Sequence, residues 1–356
     1  MKIKLNGASS LRFERLIETL NNNIYNSSTF VTLLSSKDRY LLSNLKRPLS
    51  KDECTKLLDD YLLDGEEPSF FLGYELIKLN ENDYLDNPYY KNIKLDEIKE
   101  GKIAFKTVKL KAYEPFVIKD VTTTKNYEEI TSLGYFEHDY SYISLTQNKV
   151  IWMSLSPYEI ETMKEDILNA KGNVLTYGLG IGYFAYMCSL KDEVETVTIV
   201  EKDKNIISFF KKHILNKFSH KEKIIIIEED AFKFKNESLY DFIFIDIYRN
   251  EDDGLKLYLD FKKQDKENYH FWIENSFVVM LRRYLLDLMD LYNNEDNETI
   301  NYLRKENEIY SYLDELTKNL EFNSFNAIKE FLSDSNIKEL VSKKERRQHR
   351  STLFLD

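Results

Sequence analysis

The stretch Asn173-Val174-Leu175-Thr176-Tyr177-Gly178-Leu179-Gly180-Ile181-Gly182-Tyr183 decides how this chain is read. Three of the chain's ten glycines fall within five of its residues. Glycine averages about 7% of residues in ordinary proteins, and ten in 356 is sparse, so the cluster is not a compositional accident. An apolar run leads into it and a helix-like segment, 183–190, leads out. Strand, glycine turn and helix in that order bring backbone N–H groups and a helix N-terminus against an anionic or nucleotide ligand.

Working outward, Ser156-Pro157-Tyr158-Glu159 predicts a helix start just upstream. Serine caps, proline suits the first helical position, and Glu159 closes a capping box. Ile160, Met163, Ile167 and Leu168 form the stripe of that helix, and Gly172 is available as its left-handed cap. Downstream, strands are predicted at 174–177, 196–200, 223–227, 241–245 and 270–273. A helix pattern with Ile206, Ile207, Phe210 and Ile214 on one face separates the second from the third. A short helix at 255–261 separates the fourth from the fifth. The run Ile224-Ile225-Ile226-Ile227 suits a strand buried on both faces of a parallel sheet. The predicted class is therefore α/β, a doubly wound, mostly parallel Rossmann-like sheet.

Four regions follow: a helical N-terminal region (1–90), a small β-rich region (91–155), the Rossmann-like domain (156–275) and a helical C-terminal extension (276–356). In the first, Phe13, Leu16, Ile17 and Leu20 share a helical face. Ser50 with Glu53 forms a capping box before Cys54, Leu57, Leu58 and Tyr61. In the second, 103–110 alternates like a strand, and 140–145 with 150–155 predicts a hairpin closed by a four-residue loop, 146–149.

A formal net charge of −11 opposes non-specific binding to phosphate polymers, so no nucleic-acid partner is expected. The basic run 343–350 reads as a solvated tail, without the interleaved aromatics of a nucleic-acid arm. Two distant cysteines, Cys54 and Cys188, exclude a disulfide framework, and five scattered histidines give no metal-site spacing. No run approaches the ~20 apolar residues of a membrane span, and no apolar segment follows the basic start as a signal peptide requires. A cytoplasmic address, no membrane partner, and a monomer or homo-oligomer are expected.

Ligands of open α/β sheets bind beyond the carboxyl ends of the strands. The residues there are the glycines, then Glu201 with Lys202 and Asp203, then Asp230-Ala231, then Asp246 with Tyr248. Glu201 lies about 20 residues past the glycines, where a carboxylate accepts ribose hydroxyls; alternatively it is a surface acid favoured by a helix dipole. Asp230-Ala231 suits an adenine edge or is a plain strand exit. Asp246 is the candidate catalytic base, or a strand-end carboxylate bonded to backbone amides. Tyr248 and Trp152 are candidate substrate-pocket residues, Trp152 and Met153 being alternatively core. Arg282 and Arg283 read as a solvated face or salt bridges.

These residues, over about 156–274, resemble the class I S-adenosylmethionine-dependent methyltransferases. Tyr240-Asp241-Phe242-Ile243-Phe244-Ile245-Asp246 looks like the fourth strand of the spermidine-synthase branch and of small-molecule O-methyltransferases. The preceding β-rich region is also similar to spermidine synthases. The resemblance implies S-adenosylmethionine or its decarboxylated form as cofactor, held by Tyr177, Gly178, Gly180, Gly182, Glu201, Lys202, Asp230 and Ala231. It implies a methyltransferase acting on a small molecule; the alternatives are aminopropyl transfer to a polyamine or a non-catalytic protein retaining the fold. The sequence departs from the family in four places. Ile247-Tyr248-Arg249-Asn250 follows Asp246 where typical aminopropyltransferases have a serine- and proline-containing loop. Thr176 stands where an acid usually contacts the ligand's amino-acid part. No Asn/Asp-Pro-Pro-aromatic motif follows the fourth strand, which disfavours methylation of bases. No terminal pair of strands is recognisable after Glu274. A competing NAD register, Gly180-Ile181-Gly182-Tyr183-Phe184-Ala185, fits G-x-G-x-x-A, but Asp230-Ala231 and Asp246 favour the first reading.

Overall fold

The computed structural model describes residues 1–35, 44–50, 52–53, 76–95, 97–235, 239–264 and 268–342. The helical face through Cys54 and Tyr61 and the basic run 343–350 lie outside the described residues. The Ser50–Glu53 box does form: the Ser50 N–H donates to the Glu53 carboxylate at 2.8 Å, and the Glu53 N–H to Ser50 Oγ at 3.2 Å.

Ahead of the glycine stretch lies an antiparallel sheet in the order β4-β3-β2-β1, with β1 at Lys99–Glu100, β2 at Ile103–Leu110, β3 at Tyr140–Gln147 and β4 at Val150–Ser154. The β3–β4 loop is shorter than expected. Asn148 and Lys149 alone turn the chain, both with positive φ (53° and 69°), the hand that matches strand twist in two-residue hairpins. A bulge interrupts β4 between Ile151 and Met153.

Helix α1 (Pro157–Asn169) starts at the Ser156 cap. Gly172 does not cap it: the C-cap is Ala170, in extended backbone. Gly172 instead opens the next strand at φ +64°, where a Cβ would fall 2.2 Å from the Asp241 carboxylate.

The chain then alternates: β5 (Gly172–Tyr177), α2 (Tyr183–Ser189), β6 (Val194–Glu201), α3 (Lys204–His213), β7 (Ile224–Glu228), β8 (Phe242–Ile245), α4 (Glu251–Lys262) and β9 (Tyr269–Phe271). All five strands pair parallel, in the order β7-β6-β5-β8-β9. This is an α/β, Rossmann-like sheet. The chain leaves β5 for one flank and returns to build the other, so the strand order reverses between β5 and β8. That reversal opens a crevice at their carboxyl ends. Val174, Leu175, Ile199, Ile243 and Phe244 are fully buried between the helical layers. The β7 isoleucines are not buried on both faces, because β7 is an edge strand; Ile225 is largely exposed.

Among the described residues no strand joins this sheet after β9. Helix α5 (Glu274–Asn293) follows, with four shorter helices at Asn297–Glu306, Glu308–Thr317, Phe325–Phe331 and Asp334–Val341. A two-residue strand, Glu321–Phe322, runs parallel to Lys2–Ile3 and ties the two ends of the described chain together. Arg282 and Arg283 are not a solvated face. Arg282 is 3% exposed, stacked over Tyr127 and bonded to the Leu332 carbonyl and Asp334; Arg283 pairs with Glu129. No described helix is long and apolar enough to cross a membrane.

Candidate functional site

The turn begins at Gly178, directly after β5, and ends at Gly182, the N-cap of α2. All three glycines have positive φ (+94°, +49°, +73°). Each also meets a close neighbour. A Cβ on Gly178 would lie 2.0 Å from the Asp246 carbonyl oxygen, one on Gly180 2.2 Å from the Met153 sulfur, and one on Gly182 2.4 Å from Phe210. The glycines thus permit the bend and the contact between the exits of β5 and β8. The bend is clamped from outside: Met153 Sδ accepts the Ile181 N–H at 3.3 Å, and Tyr89 donates its hydroxyl to the Ile181 carbonyl at 2.5 Å.

Between this bend and the outer sheet lies a cavity of about 320 Å³, within the range of small-molecule sites. The structure brings Gly178, Gly180, Glu201, Lys202, Asp230 and Ala231 to its wall, and with them Asp246, Tyr248 and Trp152. Tyr177 and Gly182 do not reach it. Tyr177 is fully buried with its ring against Phe261, because its side chain points into the layer beneath the sheet.

On the β6–β7 flank, Glu201 accepts the N–H of Leu179 at 3.2 Å and of Asp203 at 2.8 Å, which fixes the carboxylate beside the bend. Burial pushes its pKa upward against those bonds. Asp203 also receives the Gln147 side-chain amide at 2.8 Å, joining the β3–β4 hairpin to the end of β6. Asp230 accepts the Phe232 N–H at 2.9 Å, turning the chain out of β7.

On the β8–β9 flank, Asp246 is the outstanding group. Its backbone N–H donates to the Tyr177 carbonyl, but its carboxylate has no hydrogen-bond or ion-pair partner among the described residues. The structural alternative, a carboxylate bonded to backbone amides, is therefore not what the fold contains. Burial alone lifts its pKa to about 7. Glu159 faces it. That residue does not close the capping box: Ser156 Oγ accepts the Glu159 N–H, but the Glu159 carboxylate turns to the cavity, where it is bonded by the Ser154 N–H. Burial and the Asp246 charge both raise its pKa.

The same flank carries aromatic walls whose polar atoms are committed. Tyr248 donates its hydroxyl to the Trp272 carbonyl at 2.6 Å and stacks on the Trp272 ring. The Trp272 indole N–H donates to Thr162 of α1 at 2.8 Å. Trp152 is 46% exposed and at the cavity mouth, whereas Met153 is core. Both border the cavity, with β4 bulged between Ile151 and Met153, and the Arg249 guanidinium lies 5.5 Å from the Trp152 ring.

Glu159, Gln147 and Trp272 escaped the sequence reading. Glu159 carried a signal, an acid at the third position of the helix feeding the glycine strand, but a capping box has the same signature. Among the described residues no cluster of His, Cys, Asp and Glu suits a metal ion.

No family model and no curated protein matches this chain. Solved structures similar to part of it include a spermidine synthase in complex with the transition state analogue AdoDATO, at 19% identity and a TM-score of 0.25, covering 40% of this chain and 54% of that one. The spermidine synthase from Thermotoga maritima is similar at 16% identity and a TM-score of 0.25, over 46% and 68% of the two chains. The first match spans about half of its relative's length.

Proposed function

We propose that this chain is a transferase that takes an alkyl group, most simply the methyl group, from S-adenosylmethionine and delivers it to a small-molecule nucleophile. The observation that carries this is Asp246, an unpartnered carboxylate at the strand-order reversal, beside Glu159 and across the bend from Glu201. Among the described residues six acids, Glu159, Glu201, Asp203, Glu229, Asp230 and Asp246, line the cavity against one base, Lys202. That lining suits a cationic sulfonium nucleoside. When bound, the nucleoside supplies an electrophilic carbon with a thioether leaving group. The protein's own residues do the rest. Glu201 accepts the ribose hydroxyls, and Asp230 with Ala231 borders the base. Asp246, with a pKa of about 7, takes the proton the acceptor must lose, as a general base works best near ambient pH. The aromatic walls exclude water and align the two reactants.

Aminopropyl transfer from the decarboxylated nucleoside is the second reading. The acid-rich lining favours it, since a methionyl carboxylate would face like charge, and Thr176 is a buried strand residue that does not reach the cavity. Thermal melting with S-adenosylmethionine, S-adenosylhomocysteine, decarboxylated S-adenosylmethionine and methylthioadenosine separates these readings. At 100 Kd a ligand adds about 2.7 kcal/mol, so the melting point rises by several degrees. A folded sample that none of the four stabilises at millimolar concentration refutes both.

A further inference from the structure

The geometry points to a hydrophobic monoamine, an ammonium on an aromatic or aliphatic body, as the acceptor, and away from a polyamine. This rests on the transferase reading above and names the occupant of its β8–β9 flank.

The cavity divides at the strand-order reversal. Four of its acids, Glu201, Asp203, Glu229 and Asp230, belong to the exits of β6 and β7, the nucleoside flank. The other flank keeps one ionic position, where Glu159 and Asp246 face each other and Asp246 lacks a partner. Beyond it the lining is Ile247, Tyr248, Trp272 and Trp152. The Tyr248 hydroxyl and the Trp272 N–H are already spent on protein acceptors, so this wall presents ring and aliphatic surface. At its outer end stands a cation, Arg249, over Trp152. The further acids whose charge reaches Tyr248, namely Glu274, Asp120 and Asp166, do not line the cavity, and Asp253 is bonded to the Arg249 guanidinium. One ammonium is thus matched to the carboxylate pair. A second, four or more bonds away, would lose water against aromatic surface and approach a guanidinium whose carboxylate partner, Asp253, is already engaged.

In methyl transfer to such an acceptor, the ammonium gives one proton to Asp246. The nitrogen lone pair then forms the new C–N bond as the C–S bond breaks, and its electron pair leaves on sulfur as a neutral thioether.

Calorimetry on the full chain saturated with methylthioadenosine tests this, using phenethylamine, butylamine and putrescine as probes. Phenethylamine is expected to bind at least tenfold more tightly than putrescine, with butylamine between them. Arg249→Gln should raise putrescine affinity at least threefold and leave phenethylamine unchanged. Arg249 also bonds Asp253 in the cap of α4, so a circular-dichroism melt accompanies the variant, and Trp152→Ala, expected to weaken phenethylamine at least fivefold but putrescine little, stands in if it unfolds. Putrescine binding as tightly as phenethylamine, or no amine binding while methylthioadenosine binds, overturns the monoamine and leaves the transferase reading intact. Failure of methylthioadenosine and of S-adenosylhomocysteine, used in its place to saturate the site, to bind takes both down.

Discussion

Replacing Asp246 by asparagine should make the ligand-free protein more stable, and increasingly so as pH rises. The wild-type carboxyl has an ordinary value of 3.8 when unfolded and about 7 when folded. Between those values the native state holds a proton that the unfolded state has lost. Stability therefore falls as pH rises through that window and levels off above it. Each pH unit of separation is worth 1.36 kcal/mol, so the full penalty has a ceiling of about 4 kcal/mol. From pH 5 to pH 8 the loss has a ceiling of about 3 kcal/mol by the same conversion. Water in the cavity lowers this, and roughly 2 kcal/mol is expected. Asparagine has the same shape and no charge, so this loss is absent in the variant. Glu159 adds in the same direction, because removing Asp246 removes one of the causes raising its pKa. Urea unfolding of both proteins at pH 5, 6, 7 and 8 without ligand measures the difference. The variant's advantage should grow by roughly 2 kcal/mol across the series and flatten above pH 7. A difference independent of pH, or a variant less stable at pH 8, would show that Asp246 has a partner or is well solvated, and would remove the argument for it as a base.

Other substitutions test separate parts of the site. Glu201→Gln loses the charge and keeps an acceptor for only one of the two backbone N–H groups, which bond different carboxylate oxygens; nucleoside affinity by calorimetry should fall at least tenfold, roughly 1.4 kcal/mol, with a melting point lowered by the lost contact. Gly178→Ala places a Cβ against the Asp246 carbonyl at φ +94°, and should cost at least 2 kcal/mol in urea unfolding, whereas a near-neutral result would mean the β5 and β8 exits are not in contact. Initial rates of turnover should climb through a midpoint near pH 7 as Asp246 ionises, and Asp246→Asn should abolish that limb. Breaking the Arg283–Glu129 pair with Glu129→Gln leaves a part-buried guanidinium without its counter-charge, expected to cost about 2 kcal/mol or more while nucleoside binding survives.

Much of the central sheet was legible because its signals are local. The apolar runs ending in Tyr177, Glu201 and Asp246, with a glycine turn after the first, specify parallel strands and the side on which a ligand sits, whatever surrounds them. The edges were harder. Ile224–Ile227 reads like a central strand, yet β7 is an edge, and composition does not record a strand's neighbours. Gly172 and Glu159 read as local caps in the sequence, yet both serve distant partners: Asp241 in one case, the cavity in the other. Trp152 and Met153 are adjacent in an apolar run, yet one stands exposed at the cavity and the other is buried against the glycine bend.

The amino-acid sequence by itself determined the α/β alternation, the glycine turn and the acids at the strand ends, because backbone preference and hydrophobic period act over a few residues. Only the tertiary structure decided that Glu159 faces Asp246, that Asp246 stands unpartnered among the described residues, and that the Tyr248 hydroxyl and the Trp272 indole donate to protein acceptors. Those facts depend on which side chains meet across α1, β4, β8 and β9, so no short stretch of sequence contains them.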